Sequence, residues 1–510
     1  MLAIVKSLAL SGMEGHLIQV EVDVANGLPA FDIVGLPAAT VREAKERVRT
    51  AIRNSGYDFP TKRITVNLAP ADLKKEGPGL DLAIAVGILV ATEQIKQEAV
   101  MQHVFLGELS LDGTLRGIPG VLPMASALSS NLYQQVNLIL PLENAQEGAL
   151  VKQLVVLGAE NLNQVAKYLK QEGQLVKGSN KLEVAGINSH AIDFQDIKGQ
   201  AFVKRALEVA AAGNHNILLV GPPGTGKTML ARALPGIMPS LTFSEALEVT
   251  KVYSVAGLLP KNKPLIQERP FRAPHHSSSP AGLSGGGKIP KPGEISLANH
   301  GVLFLDELPE FSREVLEGLR QPLEDRVITV SRVAATLTYP ARIMVVASLN
   351  PCPCGLSTEN GGINCTCTPL QVTRYRARIS GPLLDRMDVQ IEVPRVPYEE
   401  LSGESVGEHS KAVKERVEKA RNIQRERLGS MNLSNAEMTP KQVRTNCWLD
   451  NGGKELLNKA YKQFGLSARA HDRILKVART IADLAGEKQI NVNHLAEAIQ
   501  YRAFDRVLSG

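Results

Sequence analysis

The chain has 510 residues, of which 44% are hydrophobic and 22% are charged, and its formal net charge is +6. This length predicts about three domains at roughly 150 residues each, and the composition is that of an ordinary globular protein. Five cysteines are too few for a disulfide scaffold. No apolar run approaches the ~18 residues of a membrane span. We therefore expect a cytoplasmic protein with no membrane partner, whose mild basic charge permits an anionic partner without requiring one.

The pattern of the N-terminal third indicates a separate domain that contains both helices and strands. Residues 16–24, HLIQVEVDV, alternate between apolar and polar side chains, which predicts a half-buried strand. In the helical segment that follows, Thr40 and Glu43 have the spacing of a capping box, and Gly56 can end the helix. We expect this domain to cover residues 1–172 and the polar residues 173–190 to form a linker.

The remainder predicts an α/β domain followed by a helical one. The runs NILLV (216–220), GVLFL (301–305) and RIMVVAS (342–348) are continuously apolar, as in strands buried on both faces of a parallel sheet. After them, SKAVKERVEKARNIQRERL and ARAHDRILKVARTIADLAG have helical patterns. The expected boundaries are 191–398 for the α/β domain and 399–510 for the helices.

GPPGTGKT, residues 221–228, lies between a predicted strand and a predicted helix and fits the phosphate-loop pattern. Its glycines let backbone N–H groups face phosphates, and the next helix adds its positive N-terminal end. Lys227 is expected to reach the β and γ phosphates, and Thr228 to hold Mg²⁺. The residues expected to contact the nucleotide here are Gly221, Pro222, Pro223, Gly224, Thr225, Gly226, Lys227, Thr228 and Met229.

Two later strand ends carry polar residues suited to hydrolysis. Asp306 ends GVLFL and can bind the metal, while Glu307 can orient or deprotonate the attacking water. Asn350 ends the third apolar run and can hold the lytic water or sense the γ-phosphate. The alternatives are a solvated acidic turn at the first position and a turn-forming Asn before proline at the second.

Arg386, in SGPLLDRMD, and Arg469, in SARAHDR, are candidate catalytic cations. Phosphoryl transfer gains greatly from a cation on the developing γ-phosphate charge, and a neighbouring subunit often supplies it. Each arginine alone is more often a surface ion pair. Their order along the chain, after the phosphate loop and the acidic pair, favours the catalytic interpretation.

This order of motifs, with DIKGQ upstream, resembles the AAA+ ATPases, and the block FRAPHH to HGVLFLDE is similar to their magnesium-chelatase-like branch. From end to end the chain resembles the YifB/ComM family. The resemblance implies that ATP binds near Ile197 and Gln200, and that the subunits form a ring, expected to be a hexamer. In that ring Arg386 acts on a neighbour's ATP, whereas Arg469 acts in cis or in trans.

The N-terminal region resembles the proteolytic domain of Lon, on EGPGLDLAIAVGILVA and GELSLDGTLRGIPGVLPMASA. The resemblance implies an α+β domain. It also places the Lon nucleophile at Gly79 and the partner lysine near residues 122–124, which contain no lysine. A Ser–Lys dyad needs both side chains within hydrogen-bonding reach. The expected domain is peptidase-dead.

Four cysteines lie close together in NPCPCGLSTENGGINCTCTP. The spacing is C-x-C, ten residues, C-x-C, and four thiolates suit tetrahedral Zn²⁺ in a structural site. The alternatives are a reduced loop without metal or transient disulfides. The expected zinc ligands are Cys352, Cys354, Cys365 and Cys367, and the isolated Cys447 is expected in a core.

Residues 258–292 form a basic segment rich in Gly, Ser and Pro. Loops of this kind facing a ring channel can contact the phosphate backbone of DNA without sequence preference. A second candidate is the hairpin-like stretch 324–342, and the alternative for the first is a solvated loop that orders a subunit interface. His275 and His276 have no third metal ligand nearby in sequence. The expected DNA contacts are Arg272, Lys288, Lys291 and Arg332.

The predicted function is therefore a ring-forming ATPase that translocates on DNA. The resemblance implies helicase and branch-migration activity on single-stranded or branched DNA that helps incoming DNA to integrate during natural transformation. The competing hypothesis is a protein-remodelling ATPase, either a chelatase-type motor subunit or a Lon-like assembly. Stimulation by DNA or by unfolded protein separates the two.

Overall fold

The structure, a computed structural model, describes residues 2–75, 77–129, 136–179, 192–260, 263–287, 290–332, 335–356, 365–402, 407–431, 433–464 and 466–502. The chain divides into two compact units. The first comprises Met1–Val184, Ala246–Ile266 and Ser331–Tyr339, and the second comprises Ala185–Glu245, Gln267–Val330 and Pro340–Gly510. Two segments from the middle of the chain thus belong to the first unit.

A mixed eight-stranded sheet forms the centre of the first unit. Its strands are β1 (Leu2–Ser11), β2 (Glu14–Ala25), β3 (Ala30–Val34), β4 (Arg63–Ala69), β5 (His103–Phe105), β8 (Asn137–Pro141), β9 (Val155–Ala159) and β10 (Val176–Lys177). Their order is β10-β9-β8-β5-β1-β2-β4-β3. A small hairpin, β6 (Glu108–Leu109) and β7 (Leu115–Arg116), accompanies them. The edge strand β10 lies inside the segment expected as a linker, and residues 180–191 of that segment lie outside the described residues.

The alternation predicted for residues 16–24 is confirmed, because Ile18, Val20 and Val22 of β2 are buried whereas Gln19 and Asp23 are exposed. Because successive side chains of a strand point to opposite faces, this pattern places one face of the strand against the core. The strand pairs antiparallel with both β1 and β4.

The helices of the first unit pack on this sheet. The capping-box prediction is wrong, because the chain is already helical at Ala39, ahead of Thr40, so the Thr40 side chain is not at the N-cap. The next helix follows Glu43, which makes no side-chain cap bond. Gly56, expected to end this helix, lies just beyond its end and has φ +83°. The helices are α1 (Ala39–Arg42), α2 (Ala44–Asn54), α3 (Asp81–Ala91), α4 (Val121–Ala127), α5 (Ala145–Gly148) and α6 (Leu162–Leu169).

The second unit contains a parallel five-stranded sheet. Its strands are β11 (Ile217–Val220), β12 (Phe271–Arg272), β15 (Val302–Leu305), β18 (Met344–Leu349) and β19 (Val389–Glu392), in the order β12-β15-β18-β11-β19. The three apolar runs form β11, β15 and β18, and every residue of these strands is buried, which confirms the prediction. Because the strands are parallel, their carboxyl ends share one edge of the sheet, where ligands of such sheets bind.

Helices surround this sheet, and one hydrophobic core joins it to the C-terminal helices. The two helices predicted in the C-terminal segment are confirmed as α17 (Ser410–Leu428) and α20 (Ala468–Leu484). None of the described helices combines the length and apolar character that crossing a bilayer requires. The remaining helices and hairpins of the chain are α7 (Ala201–Gly213), α8 (Lys227–Ile237), α9 (Phe243–Ala256), α10 (Pro280–Ser284), β13 (Gly285–Gly286), β14 (Lys291–Pro292), α11 (Glu294–Leu297), α12 (Arg313–Gly318), α13 (Arg320–Asp325), β16 (Val327–Arg332), β17 (Ala335–Pro340), α14 (Pro369–Arg376), α15 (Gly381–Leu384), α16 (Tyr398–Ser402), α17 (Ser410–Leu428), α18 (Pro440–Asn446), α19 (Asn451–Phe464), α20 (Ala468–Leu484) and α21 (Val492–Gln500). Most of α9 and of β17 belongs to the first unit.

Candidate functional site

The phosphate-loop sequence forms a tight turn between β11 and α8. Gly224 and Gly226 have φ +77° and +84°, a region that favours glycine. A Cβ at Gly221 would lie 2.4 Å from the carbonyl oxygen of Val393, so only glycine fits there without a shift. The hydroxyl of Thr225 donates to the carbonyl of Pro222 at 3.0 Å and closes the loop. The loop leads directly into the N-terminus of α8, which is the arrangement of strand, loop and helix that anion sites use.

Lys227, the first residue of α8, is buried within this loop. Its ammonium group donates to the carbonyl oxygens of Gly221 at 2.7 Å and Pro222 at 2.9 Å, and to Oδ1 of Asn350 at 3.2 Å. Burial lowers the pKa of Lys227, while the nearby carboxylates of Asp306 and Glu307 oppose that shift. The structure thus brings together the lysine and the asparagine that the sequence placed 123 residues apart.

The acidic pair follows β15 at the same edge of the sheet. The hydroxyl of Thr228 donates to Oδ2 of Asp306 at 3.0 Å, and the two oxygens form a hard donor set that suits Mg²⁺. The hydroxyl of Ser348 donates to Oδ1 of Asp306 and accepts the backbone N–H of Glu307 at 3.1 Å. The exposed Glu307 has φ +53°, a conformation that costs energy for a non-glycine residue.

Ser348 is a residue that the sequence analysis missed. It lies two residues before Asn350 on β18, and the register of the sheet pairs its neighbour Ala347 with Leu305, the residue before Asp306. A serine inside an otherwise apolar strand, at 0% exposure, is the signal that could have identified it.

Ile197 and Gln200 lie beside the loop, at the start of α7. Gln200 donates from Nε2 to the carbonyl oxygens of Thr225 at 2.8 Å and Pro394 at 3.2 Å. Both residues line a cleft of about 1280 Å³, which is large enough for a nucleoside. Met229, in contrast, packs its side chain against the hydrophobic core.

The two candidate arginines lie in another cleft, of about 270 Å³. Arg386 is only 5% exposed, forms an ion pair with Glu324, and donates to the carbonyl of Pro382 at 2.6 Å. Its own carbonyl accepts from Nδ2 of Asn216 at 3.1 Å. The exposed Arg469 lines the same cleft, and its side chain has neither a hydrogen bond nor an ion pair within the described part of the chain.

This arginine cleft and the phosphate loop lie at opposite ends of the sheet. Asn216, which touches Arg386, precedes β11, whereas Gly221 follows it. A parallel strand rises about 3.3 Å per residue, so these two residues are about 16 Å apart. Within one subunit the structure does not bring Arg386 to Lys227.

The four clustered cysteines lie close together in the segment that follows Asn350. Their ligand atoms all lie within 4.8 Å of one another, with sulfur–sulfur distances of 3.3 Å, 3.8 Å and 3.6 Å among Cys352, Cys354 and Cys365. Zinc–sulfur bonds of about 2.3 Å in a tetrahedron separate the sulfurs by about 3.8 Å, so the residues fit this metal. A backbone hydrogen bond from Leu356 and contacts with neighbouring thiols lower the pKa of Cys354 to about 6.

The cysteine cluster also touches the phosphate loop. Gly355, between its two halves, has φ +78°, and a Cβ there would lie 2.5 Å from Cδ of Pro223. Residues 357–364 of the connection lie outside the described residues.

The expected DNA contacts belong to different elements of the chain. Arg272 pairs with both carboxylate oxygens of Glu294 at 2.6 Å and 2.7 Å, Lys291 is exposed on β14, and Arg332 is the last residue of β16. Lys288 lies outside the described residues. In the described ranges the cysteine cluster is the only group with three or more potential metal ligands, and His275 and His276 have tilted rings with centroids 4.0 Å apart.

Three family models match successive parts of the chain. The model described as magnesium chelatase, subunit ChlI, matches residues 193–401, which include the phosphate loop, the acidic pair and Arg386. The model described as subunit ChlI of Mg-chelatase matches residues 20–144, and the ChlI C-terminal model matches residues 407–502.

Proteins named ComM and YifB are among those similar to the whole chain. The competence protein ComM of Haemophilus influenzae is 48% identical over 99% of this chain and 98% of its own length. The proteins named YifB in Salmonella typhimurium and Escherichia coli are 46% and 45% identical, each over 99% of this chain and 98% of their own length. The chain therefore belongs to the YifB/ComM family of magnesium-chelatase-like AAA+ proteins.

Proposed function

We propose that this protein is an ATP hydrolase that assembles into a ring, a hexamer, around DNA and couples hydrolysis to DNA translocation. In this proposal the ring unwinds DNA and moves branch points, which helps incoming DNA to integrate during natural transformation. The name of the Haemophilus influenzae relative, a competence protein, supports the biological setting.

The main support for a ring is the distance between the arginine cleft and the phosphate loop within one subunit. About 16 Å of β-strand lies between Asn216, which touches Arg386, and Gly221. A cation that stabilises the developing γ-phosphate charge must approach it closely. Arg386 and Arg469 therefore act in trans, on the ATP of a neighbouring subunit, and in a ring this relationship repeats until it closes.

The roles within one site follow from the contacts. Lys227 binds the β and γ phosphates, and Thr228 and Asp306 would hold Mg²⁺, which would supply charge neutralisation for the triphosphate. Glu307 accepts a proton from the attacking water at its exposed carboxylate. Asn350 uses its Oδ1 to position the Lys227 ammonium group, which leaves its amide N–H group to orient the water.

Zinc held by Cys352, Cys354, Cys365 and Cys367 fits a structural role. The sulfur spacing accommodates a closed tetrahedron, and four thiolates leave no coordination position open for catalysis. The contact between Gly355 and Pro223 lets such a site support the phosphate loop.

The N-terminal Lon-like domain serves a binding or structural role in this proposal. Gly79 has no nucleophilic side chain, and a Cβ at this position would lie 3.2 Å from Cδ1 of Ile118. Leu122 and Met124, where a dyad lysine is expected, are buried and apolar. Peptidase activity that mutation of this domain alone abolishes would contradict this view.

The decisive experiment measures the ATPase rate with no addition, with single-stranded DNA, with forked DNA and with an unfolded protein. DNA is expected to raise the rate and unfolded protein to leave it unchanged, because Lys291 and the basic segment around it favour a polyanion. The Lys227→Ala variant controls for contaminating ATPases. Stimulation by unfolded protein together with no response to DNA would favour the protein-remodelling alternative.

A further inference from the structure

A groove of about 460 Å³ opens on the C-terminal helices, between the end of α18, α19 and the start of α20. Its walls carry Trp448, which is 57% exposed, and Tyr461, which is 43% exposed. Large aromatic side chains are usually removed from water, and those left exposed beside a concavity commonly mark a binding surface. The volume falls in the range of small-molecule sites.

The side chains on the lining of the groove that can carry a positive charge are those of Lys454, Arg444 and His471. Lys454 places its ammonium group 5.8 Å from the centroid of the Trp448 ring, and Arg444 and His471 also line the groove. No carboxylate is among its described lining residues, although the ring of His471 is hydrogen-bonded to Asp472 at 3.1 Å and Asp450 lies nearby in sequence; the cationic character therefore rests on Lys454 and Arg444. An anionic ligand is therefore favoured over a cationic one.

The floor of the groove is apolar. Leu449 and Leu457 contribute to it together with Cys447, whose thiol is buried. Burial raises the pKa of Cys447 to about 12, so the thiol is uncharged at neutral pH. A flat apolar ring seated here would meet hydrophobic side chains below and cations at the rim.

We propose that this groove binds single-stranded nucleic acid, with a base stacked on Trp448 and the flanking phosphates against Lys454 and Arg444. The proposal rests on the proposed function, because it assigns one contact of the same DNA partner. Aromatic stacking combined with a cationic rim is the chemistry that holds single strands without sequence preference. Double-stranded DNA cannot bind in this way, because the faces of its bases are already stacked on one another and are not available to Trp448.

The test uses Trp448 itself, the single tryptophan of the chain. Titration of the full-length protein with an oligodeoxythymidylate is expected to quench its fluorescence in a saturable way. Because a base stacked on an aromatic side chain contributes substantially to affinity, Trp448→Ala should weaken binding of a labelled oligonucleotide by about 5- to 150-fold. Trp448→Phe should retain most of the affinity, and Lys454→Gln should reduce the salt dependence by about 0.7 in the log–log slope.

Tyr398→Ala, which removes an aromatic residue that is 78% exposed elsewhere in the same unit, is the matched control and should bind like the wild type. DNA binding that Trp448→Ala leaves unchanged, with no quenching in the wild type, would overturn the inference while the proposed function stands. No DNA binding by any variant, the wild type included, would overturn both. Loss of ring assembly in Trp448→Ala without nucleic acid would show that the groove holds a second copy of the chain and would also overturn the inference.

Discussion

The hydroxyl of Ser348, on β18, donates a hydrogen bond to the carboxylate of Asp306, which lies 42 positions earlier and directly follows β15. The same oxygen accepts the backbone N–H of Glu307 at 3.1 Å. One buried side chain thus fixes both members of the acidic pair. Because Glu307 has φ +53°, its position depends on such support. Ser348 is therefore a positioning residue for hydrolysis.

The first prediction concerns this serine. Ser348→Ala removes one hydrogen bond to a charged group, worth about 1.5–3 kcal/mol, so kcat should fall about tenfold or more while KM for ATP changes little. Steady-state ATPase kinetics measure both constants. Ser296→Ala is the control, because Ser296 is buried in the same unit and its hydroxyl has no partner among the described residues. Equal losses in both variants would assign the effect to packing.

The second prediction separates nucleotide binding from hydrolysis. Lys227→Ala should abolish ATP binding, because the buried ammonium group is the cation of the phosphate loop. Glu307→Gln should bind ATP normally yet hydrolyse it at least about 100-fold more slowly, since general-base catalysis contributes about that much or more. A fluorescent ATP analogue and phosphate release report the two steps. Wild-type turnover in the glutamine variant would remove Glu307 from its proposed role.

Burial and strand periodicity made much of the second unit predictable from sequence. Continuous apolar runs predicted β11, β15 and β18, and the sequence placed Asp306 and Asn350 at the ends of two of these strands. The bond from Ser348 to Asp306 was not predictable, because it depends on the register between β15 and β18.

Other features of the fold follow from tertiary contacts that local sequence does not reveal. Residues 246–266 and 331–339 lie inside the segment expected as the α/β domain, yet they pack in the first unit. Thr40 has the right partner at the right spacing for a capping box, but the helix begins one residue before it. The Trp448 groove likewise assembles from three helices whose packing decides which side chains face outward.

The third prediction tests whether the active site is shared between subunits. Lys227→Ala and Arg386→Ala should each be nearly inactive alone, and mixing them should restore activity. With random mixing in a closed ring, about a quarter of the interfaces pair an intact loop with an intact arginine. ATPase assays across mixing ratios measure the recovery, and Lys227→Ala mixed with a Lys227→Ala/Arg386→Ala double variant is the control. Absence of any recovery from a ring that demonstrably mixes would place Arg386 outside the neighbour's site.

The fourth prediction concerns the cysteine cluster. The purified protein should contain about one zinc per chain, and Cys354→Ser should lose it, because only three thiolates remain. Cys447→Ser is the control and should keep its metal, since Cys447 is not part of the cluster. Metal analysis of both variants and of the wild type measures the content. Zinc well below half an equivalent in the wild type would favour the interpretation of a loop without metal.

The fifth prediction concerns Asp388, which is buried beside the arginine cleft. Burial by itself raises the pKa of Asp388, but the Arg473 guanidinium at 2.5 Å and the His215 ring outweigh burial and hold that pKa below its ordinary value. A depressed folded-state pKa means that the stabilisation is present above the unfolded value near 3.8 and is lost as pH falls toward the folded value.

Asp388→Asn should therefore lower the free energy of unfolding by about 3–5 kcal/mol at pH 7, because it leaves Arg473 without its buried partner. The difference from the wild type should stay constant down to about pH 5 and shrink below about pH 4, where the wild-type carboxylate begins to lose its advantage. Urea unfolding of both proteins at a series of pH values measures this difference in the free energy of unfolding. Asp472→Asn, which neutralises a more exposed carboxylate of the same cleft, should change stability little at any pH. A deficit in Asp388→Asn that grows as pH falls would mean that the folded protein holds Asp388 protonated rather than paired with Arg473.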